Sequence, residues 1–239
     1  MRSLFGTPPE EKAQEPPKPE EAKKQDPKEQ GEVTVADIAA TKKVKASRTK
    51  GRHFTKRILS ELNLEQVLPW HFEKGAAYHC ISWGDVDSLT YLRVIVKQQR
   101  LEYVVLSTWC MAITDVKEVE KWLERGDVGR IDFYVGEIFQ ASYFEVYLAL
   151  KELVDRYGAR VCVFRNHAKV MAGFGDDFDF VIEGSANVNT NPRTEQTCIT
   201  IDTELAYFYK EFFDDVNSFN KDFENWKPYI LKRDRHGTI

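Results

Sequence analysis

"LEYVVLSTWCMAITDVKEVEKWLERGDVGRIDFYVGEI", Leu101 to Ile138, changes periodicity twice, and those changes decide the fold. "LEYVVLSTWC" is a short apolar run rich in β-branched residues, the pattern of a buried strand. The next segment sets Val116, Val119 and Leu123 on one helical face, with Thr114 as the expected N-cap and Gly126 near the end. "RIDFYVGEI" then returns to strand.

The same alternation extends in both directions. Upstream, "GAAYHCISWG" (Gly75 to Gly84) reads as a strand, and "DVDSLTYLRVIVKQQR" has an Asp start signal with Val86, Leu89, Leu92 and Val96 at helical spacing. Downstream, "SYFEVYLALKELVDRYG" reads as a helix closing at Gly158, and "ARVCVFRN" as a fourth strand. Three strand-helix units in succession predict an α/β fold, an α/β/α sandwich around a mixed, mainly parallel sheet. After Val163 the pattern changes. "HAKVMAGF" and "FDFVIEGS" flank a "GDD" turn at Gly175 to Asp177 and read as a hairpin, "EQTCITID" as a further strand, and "ELAYFYKEFFDDVNSFNKDF" as a closing helix whose aromatics fill the core.

Charge is unevenly distributed along the 239 residues. Residues 1 to 32 hold six of the nine prolines, eight acids and six bases, a composition that forms no core. Residues 1–40 therefore read as a disordered tail suited to tethering or to recruiting a protein partner. Residues 41–74 form a basic linker and N-terminal helical segment, and 75–239 the main domain. Lys42, Lys43, Lys45, Arg48, Lys50, Arg52, Lys56 and Arg57 fall in one stretch without an acid, which suits contact with a nucleic-acid backbone and equally suits a solvated face. After Arg57, 20 basic residues stand against 29 acidic ones, a body of about −9 that repels polyanions and leaves their capture to the basic stretch. No apolar run is long enough to span a bilayer, and the N-terminus has no apolar signal-peptide centre, so the expectation is a cytoplasmic protein without integral membrane association. Cys80, Cys110, Cys162 and Cys198 form no CxxC pair and read as buried, reduced thiols. Trp70, Phe72 and Trp83 read as core residues before they read as base-stacking ones.

His167 and Lys169, two apart on an expected strand, share a face; Ser185 and Asn187 emerge together at the end of the next. An imidazole, an ammonium, a hydroxyl and an amide suit a phosphodiester, supplying a nucleophile, a cation for the non-bridging oxygens and neutral donors. No thiolate or carboxylate cluster accompanies them, so neither a metal nor another cofactor is expected.

"HAK" followed by "GSAN" resembles the HxK and GSxN elements of the phospholipase D superfamily, and "NPRTEQTCITI" resembles the segment that brings a glutamate, here Glu195, onto the next strand in that family's small nucleases. The resemblance covers roughly Gly75 to Phe219. It implies a phospholipase D-like sandwich and phosphoryl transfer without metal: His167 as nucleophile forming a phosphohistidine, Lys169 and Asn187 on the phosphoryl oxygens, Ser185 positioning them, and Glu195 orienting an imidazole. A second histidine must protonate the leaving oxygen. With one motif copy, and His53, His71, His79 and His236 in no matching context, the resemblance implies a homodimer with a composite site. The family's aspartate five residues after the lysine is Phe174 here; of the nearby Asp176, Asp177 and Asp179, one could take its place in a hairpin, though Asp176 and Asp177 read first as turn residues. Three functions stay open: a nuclease or endonuclease acting on DNA or RNA, a phospholipid hydrolase or transferase, and an inactive binding module.

Overall fold

The computed structural model describes residues 61–83, 86–189, 193–223 and 225–236. The readings of the tail and of the eight cations between Lys42 and Arg57 lie outside these residues. So does His53.

Seven strands, β1 (Ala77–Ser82), β2 (Leu101–Thr108), β3 (Ile131–Gly136), β4 (Val161–Phe164), β5 (Val170–Gly175), β6 (Asp179–Gly184) and β7 (Glu195–Thr200), form one sheet in the order β1-β7-β6-β5-β2-β3-β4. Four helices complete the frame: α1 (Ser88–Gln98), α2 (Ile113–Arg125), α3 (Phe144–Tyr157) and α4 (Thr203–Asp214). The sheet is mixed, as expected. The helical crossovers make β2, β3 and β4 parallel neighbours. Every other neighbouring pair is antiparallel, so parallel pairing does not predominate as the sequence suggested. The hairpin β5–β6 and the returning β7 cause this, because a tight turn can join only antiparallel strands.

Side chains alternate across the sheet into two cores. Leu101, Val104 and Leu106 of β2 face a core shared with Leu92 of α1, Val119 of α2 and Leu150 of α3, and the helical stretch 61–67 contributes Leu64 to it. Tyr103 and Val105 face the other side, where Ala206 and Phe213 of α4 and Leu231 close a smaller core. The result is an α/β/α sandwich with its helices divided between the two faces.

Local chemistry sets the helix ends. Asp87 caps α1 by accepting from Thr90 N–H at 2.8 Å. Helix α2 starts earlier than the sequence suggested: Ala112 is its N-cap, Thr114 lies inside it, and Asp115 reaches back to the Ala112 N–H at 2.8 Å. Gly126 and Gly158 end α2 and α3 in the left-handed region that glycine enters without strain. Helix α4 stops at Asp214, short of the expected span. Its aromatics are not all core, since Phe208 and Phe212 are exposed while Phe213 is buried. Of the three aromatics near the start of the domain, Phe72 is buried as expected, whereas Trp70 and Trp83 are each 83 % exposed. All four cysteines are free; Cys110 and Cys162 are buried, and Cys80 and Cys198 are half-buried.

Candidate active site

His167 and Lys169 lie immediately before β5, and Ser185 and Asn187 immediately after β6. Because β5 and β6 are antiparallel, the start of one and the end of the other share the same end of the sheet. There, Gly184 N–H donates to the Lys169 carbonyl at 3.2 Å and Ser185 N–H to the Gln196 carbonyl at 3.0 Å, which draws in the start of β7. Gly184 has to be a glycine: a Cβ there would stand 2.5 Å from the Gln196 carbonyl oxygen.

The Lys169 ammonium folds back onto its own turn. It donates to the His167 carbonyl at 2.8 Å and lies 3.1 Å from the imidazole Nδ1. Burial pulls the Lys169 pKa below the usual lysine range, against the opposing influence of Cys110 and Glu195. The Ser185 hydroxyl donates to the Glu195 carboxylate and accepts from Gln196 N–H at 3.0 Å. Glu195 is buried and thus meets a hydroxyl; the resemblance had assigned it to an imidazole. Asn187 turns its backbone carbonyl to the Ser88 N–H at 3.1 Å, while its side-chain Oδ1 is buried without a partner. A buried amide oxygen left unsatisfied is costly, and it is a group waiting for a donor.

Several residues around this end of the sheet were not singled out from the sequence. Asn166 is buried and ties the turn down: its Nδ2 donates to Ser107 Oγ at 3.0 Å and to the Tyr134 carbonyl at 2.8 Å, and its Oδ1 accepts from Ala168 N–H at 2.9 Å. The signal available was an amide set between two strand-like runs, directly before a histidine. Trp109 sets its indole 5.4 Å from the His167 ring, centroid to centroid. Cys110 donates to Asn189 Oδ1 at 2.8 Å, which fastens the end of β2 to the loop after β6. Burial pushes the Cys110 thiol up, while Tyr143 and Lys169 pull it down.

Phe174 stands at the other end of β5 from Lys169, roughly 16 Å away at about 3.3 Å per residue. It is fully buried in the smaller core, with its ring 5.0 Å from that of Tyr207. None of the three aspartates considered as replacements reaches the site. Asp176 and Asp177 are exposed at the turn, and Asp179 is held by Arg233 through two bonds of 2.7 Å and by the Thr203 hydroxyl at 2.7 Å. His71 is exposed, and the His79 imidazole lies 3.9 Å from the Cys198 sulfur on the sheet's edge. No described helix is long and apolar enough to cross a membrane.

Fold and site together describe an α/β/α sandwich that brings an imidazole, an ammonium, a hydroxyl, a carboxylate and an amide with an unpartnered oxygen to one end of the sheet. No family model matches the chain, and no curated protein matches it. Solved structures similar to it include TrmBL2, an archaeal chromatin protein described with a novel mode of DNA binding, at 12% identity over 74% of this chain and 62% of that one, TM-score 0.43. Another is phosphatidylserine synthase from Haemophilus influenzae Rd KW20, at 13% identity over 57% of this chain and 37% of that one, TM-score 0.42. NucT from Helicobacter pylori matches at 18% identity over 58% of this chain and 94% of that one, TM-score 0.37. The chain spans less than two thirds of the chromatin protein and of the synthase. At these identities the likeness is one of chain path alone.

Proposed function

We propose that residues 75–239 form a metal-independent phosphodiesterase of the phospholipase D type, acting as a nuclease on DNA or RNA. The observation that carries this is the contact between the Lys169 ammonium and His167 at 3.1 Å. In the resting arrangement the ammonium occupies the lone pair of Nδ1. A bound phosphodiester draws the ammonium onto a non-bridging oxygen and frees the imidazole. An imidazole nitrogen lone pair then forms the P–N bond as the P–O ester bond breaks, with the Lys169 ammonium and the Asn187 side-chain N–H donating to the phosphoryl oxygens. The leaving oxygen takes a proton from a second imidazole. Water next attacks phosphorus, returns a proton to that imidazole and releases His167.

As the resemblance implies, the second imidazole is His167 of another copy, in a homodimer with a composite site; of the described side chains, the exposed His71 and the edge-strand His79 take no part in it. Glu195 acts here by holding Ser185 and by offsetting the Lys169 charge. The cations from Lys42 to Arg57 supply the phosphate contacts that an acidic body does not.

The test is cleavage of labelled single- and double-stranded DNA and RNA in excess EDTA, with wild type beside His167→Ala. The expected result is EDTA-resistant cleavage that disappears in the variant. Cleavage that survives His167→Ala, or turnover of phospholipid vesicles without cleavage of any nucleic acid, would overturn the nuclease reading.

A further inference from the structure

β1 ends one edge of the sheet, and nothing described pairs with its outer side. The phase of its ladder is fixed by the bond from Ile201 N–H to the Ala76 carbonyl at 2.9 Å. The two-residue alternation then directs the N–H and C=O groups of Ala77, His79 and Ile81 away from β7. Natural sheets usually protect such an edge with charged side chains, proline or a bulge. "AYHCIS" has neither a proline nor a Lys, Arg, Asp or Glu, and its pairing with β7 is regular throughout.

Beside this edge runs a groove of about 610 Å³, walled by the segment from Asn63 to Leu68 on one side and by the strand on the other. Leu64, Val67, Tyr78, Ile81, Trp83 and Tyr91 line it, with no Asp, Glu, Lys or Arg among its described lining residues. Val67 is 72 % exposed, Ile81 78 % and Trp83 83 %. A strand edge with outward backbone groups next to an apolar trough is the arrangement that takes up an extended peptide. The main chain pairs with the edge while alternate side chains enter the trough.

We propose that the β1 edge and its groove form a docking site for an extended, uncharged peptide segment of a partner protein, which adds as an eighth strand. The neutral lining selects this occupant. A nucleic acid would find no cation for its phosphates among the described lining residues. A second copy would use the same outward groups by pairing β1 with β1 across a two-fold axis, and would show itself as protection of β1 that depends on protein concentration. The site is separate from the candidate active site and does not depend on its chemistry.

The test uses the full chain and a capped, fluorescein-labelled octapeptide alternating valine and threonine, followed by anisotropy and by amide hydrogen exchange. Saturable binding is expected, with slowed exchange at Ala77, His79 and Ile81, and it should vanish when alternate peptide nitrogens are methylated. Ile81→Pro removes an outward N–H and keeps the β1–β7 ladder, as proline does on edge strands. It should weaken binding about tenfold, the worth of a lost pairing bond. His167→Ala should bind the peptide like wild type. Three results would each overturn the proposal: no saturable binding, displacement of the peptide by single-stranded oligonucleotide, or β1 amides already protected without peptide, whether at all protein concentrations or only at high ones.

Discussion

Replacing Asn166 by alanine removes three hydrogen bonds from the turn that presents His167 and Lys169. The partners left behind are Ser107 Oγ, the Tyr134 carbonyl and the Ala168 N–H, formerly at 3.0, 2.8 and 2.9 Å. Each such bond is worth about 1 kcal/mol net, so the variant should lose about 3 kcal/mol. That is a large share of the roughly 5–15 kcal/mol by which domains are stable. In a domain of this size it corresponds to a fall in Tm of roughly 6–12 °C. Urea unfolding followed by tryptophan fluorescence should show a lower midpoint at unchanged slope. A cycle with Ser107→Ala should show a coupling above about 0.5 kcal/mol. Nuclease activity, measured well below the new Tm, should fall as well, because the turn then carries the imidazole loosely. A loss below about 1 kcal/mol, or full activity despite the expected loss, would refute the reasoning that Asn166 holds this turn.

Lys169→Met should abolish cleavage by at least about a hundredfold, as loss of a charge-stabilising donor does, while leaving the fold intact. The folded-state pKa of Lys169 lies below its unfolded value, so the unfolded chain binds more protons between the two. Stability should therefore rise with pH across that interval, up to the ordinary lysine value, and a pH series of urea midpoints should lose this rise in Lys169→Met. Phe174→Asp, which restores the residue usual in the resembling family, should gain no activity and lose on the order of 4 kcal/mol or more by burying a carboxylate among aromatic rings; calorimetry beside the cleavage assay checks both. Gly184→Ala should cost about 1–3 kcal/mol through the approach to Gln196 O, and lower activity by displacing Ser185.

The strands and the first three helices were legible because each joins a clear period to a punctuating residue, such as Asp87 before α1 or Gly158 after α3. Strand order was less legible, since it depends on pairing between distant segments and local periodicity does not record which edge a strand joins. Thr114 misled because Asp115 performs the capping from within the helix. Trp83 and Phe212 misled because apolar identity favours burial without guaranteeing a neighbour to cover the side chain. At the site, His167, Lys169, Ser185 and Asn187 stood out through their spacing. Asn166 and Cys110 did not, because their roles consist of contacts with Tyr134 and Asn189, which are remote in sequence.

The antiparallel hairpin makes chain length a functional quantity. The two halves of the site are separated by β5, a turn and β6, and they meet only because the outward and return journeys match. Two residues added at Asp176 and Asp177 would lengthen the turn and leave both ends in place. One residue added within β6 would reverse the faces of Phe180, Val181 and Ile182 and carry Ser185 out of reach of Glu195. An insertion in the turn therefore costs its bonds to Gln99 and Arg100, whereas the strands serve as a ruler.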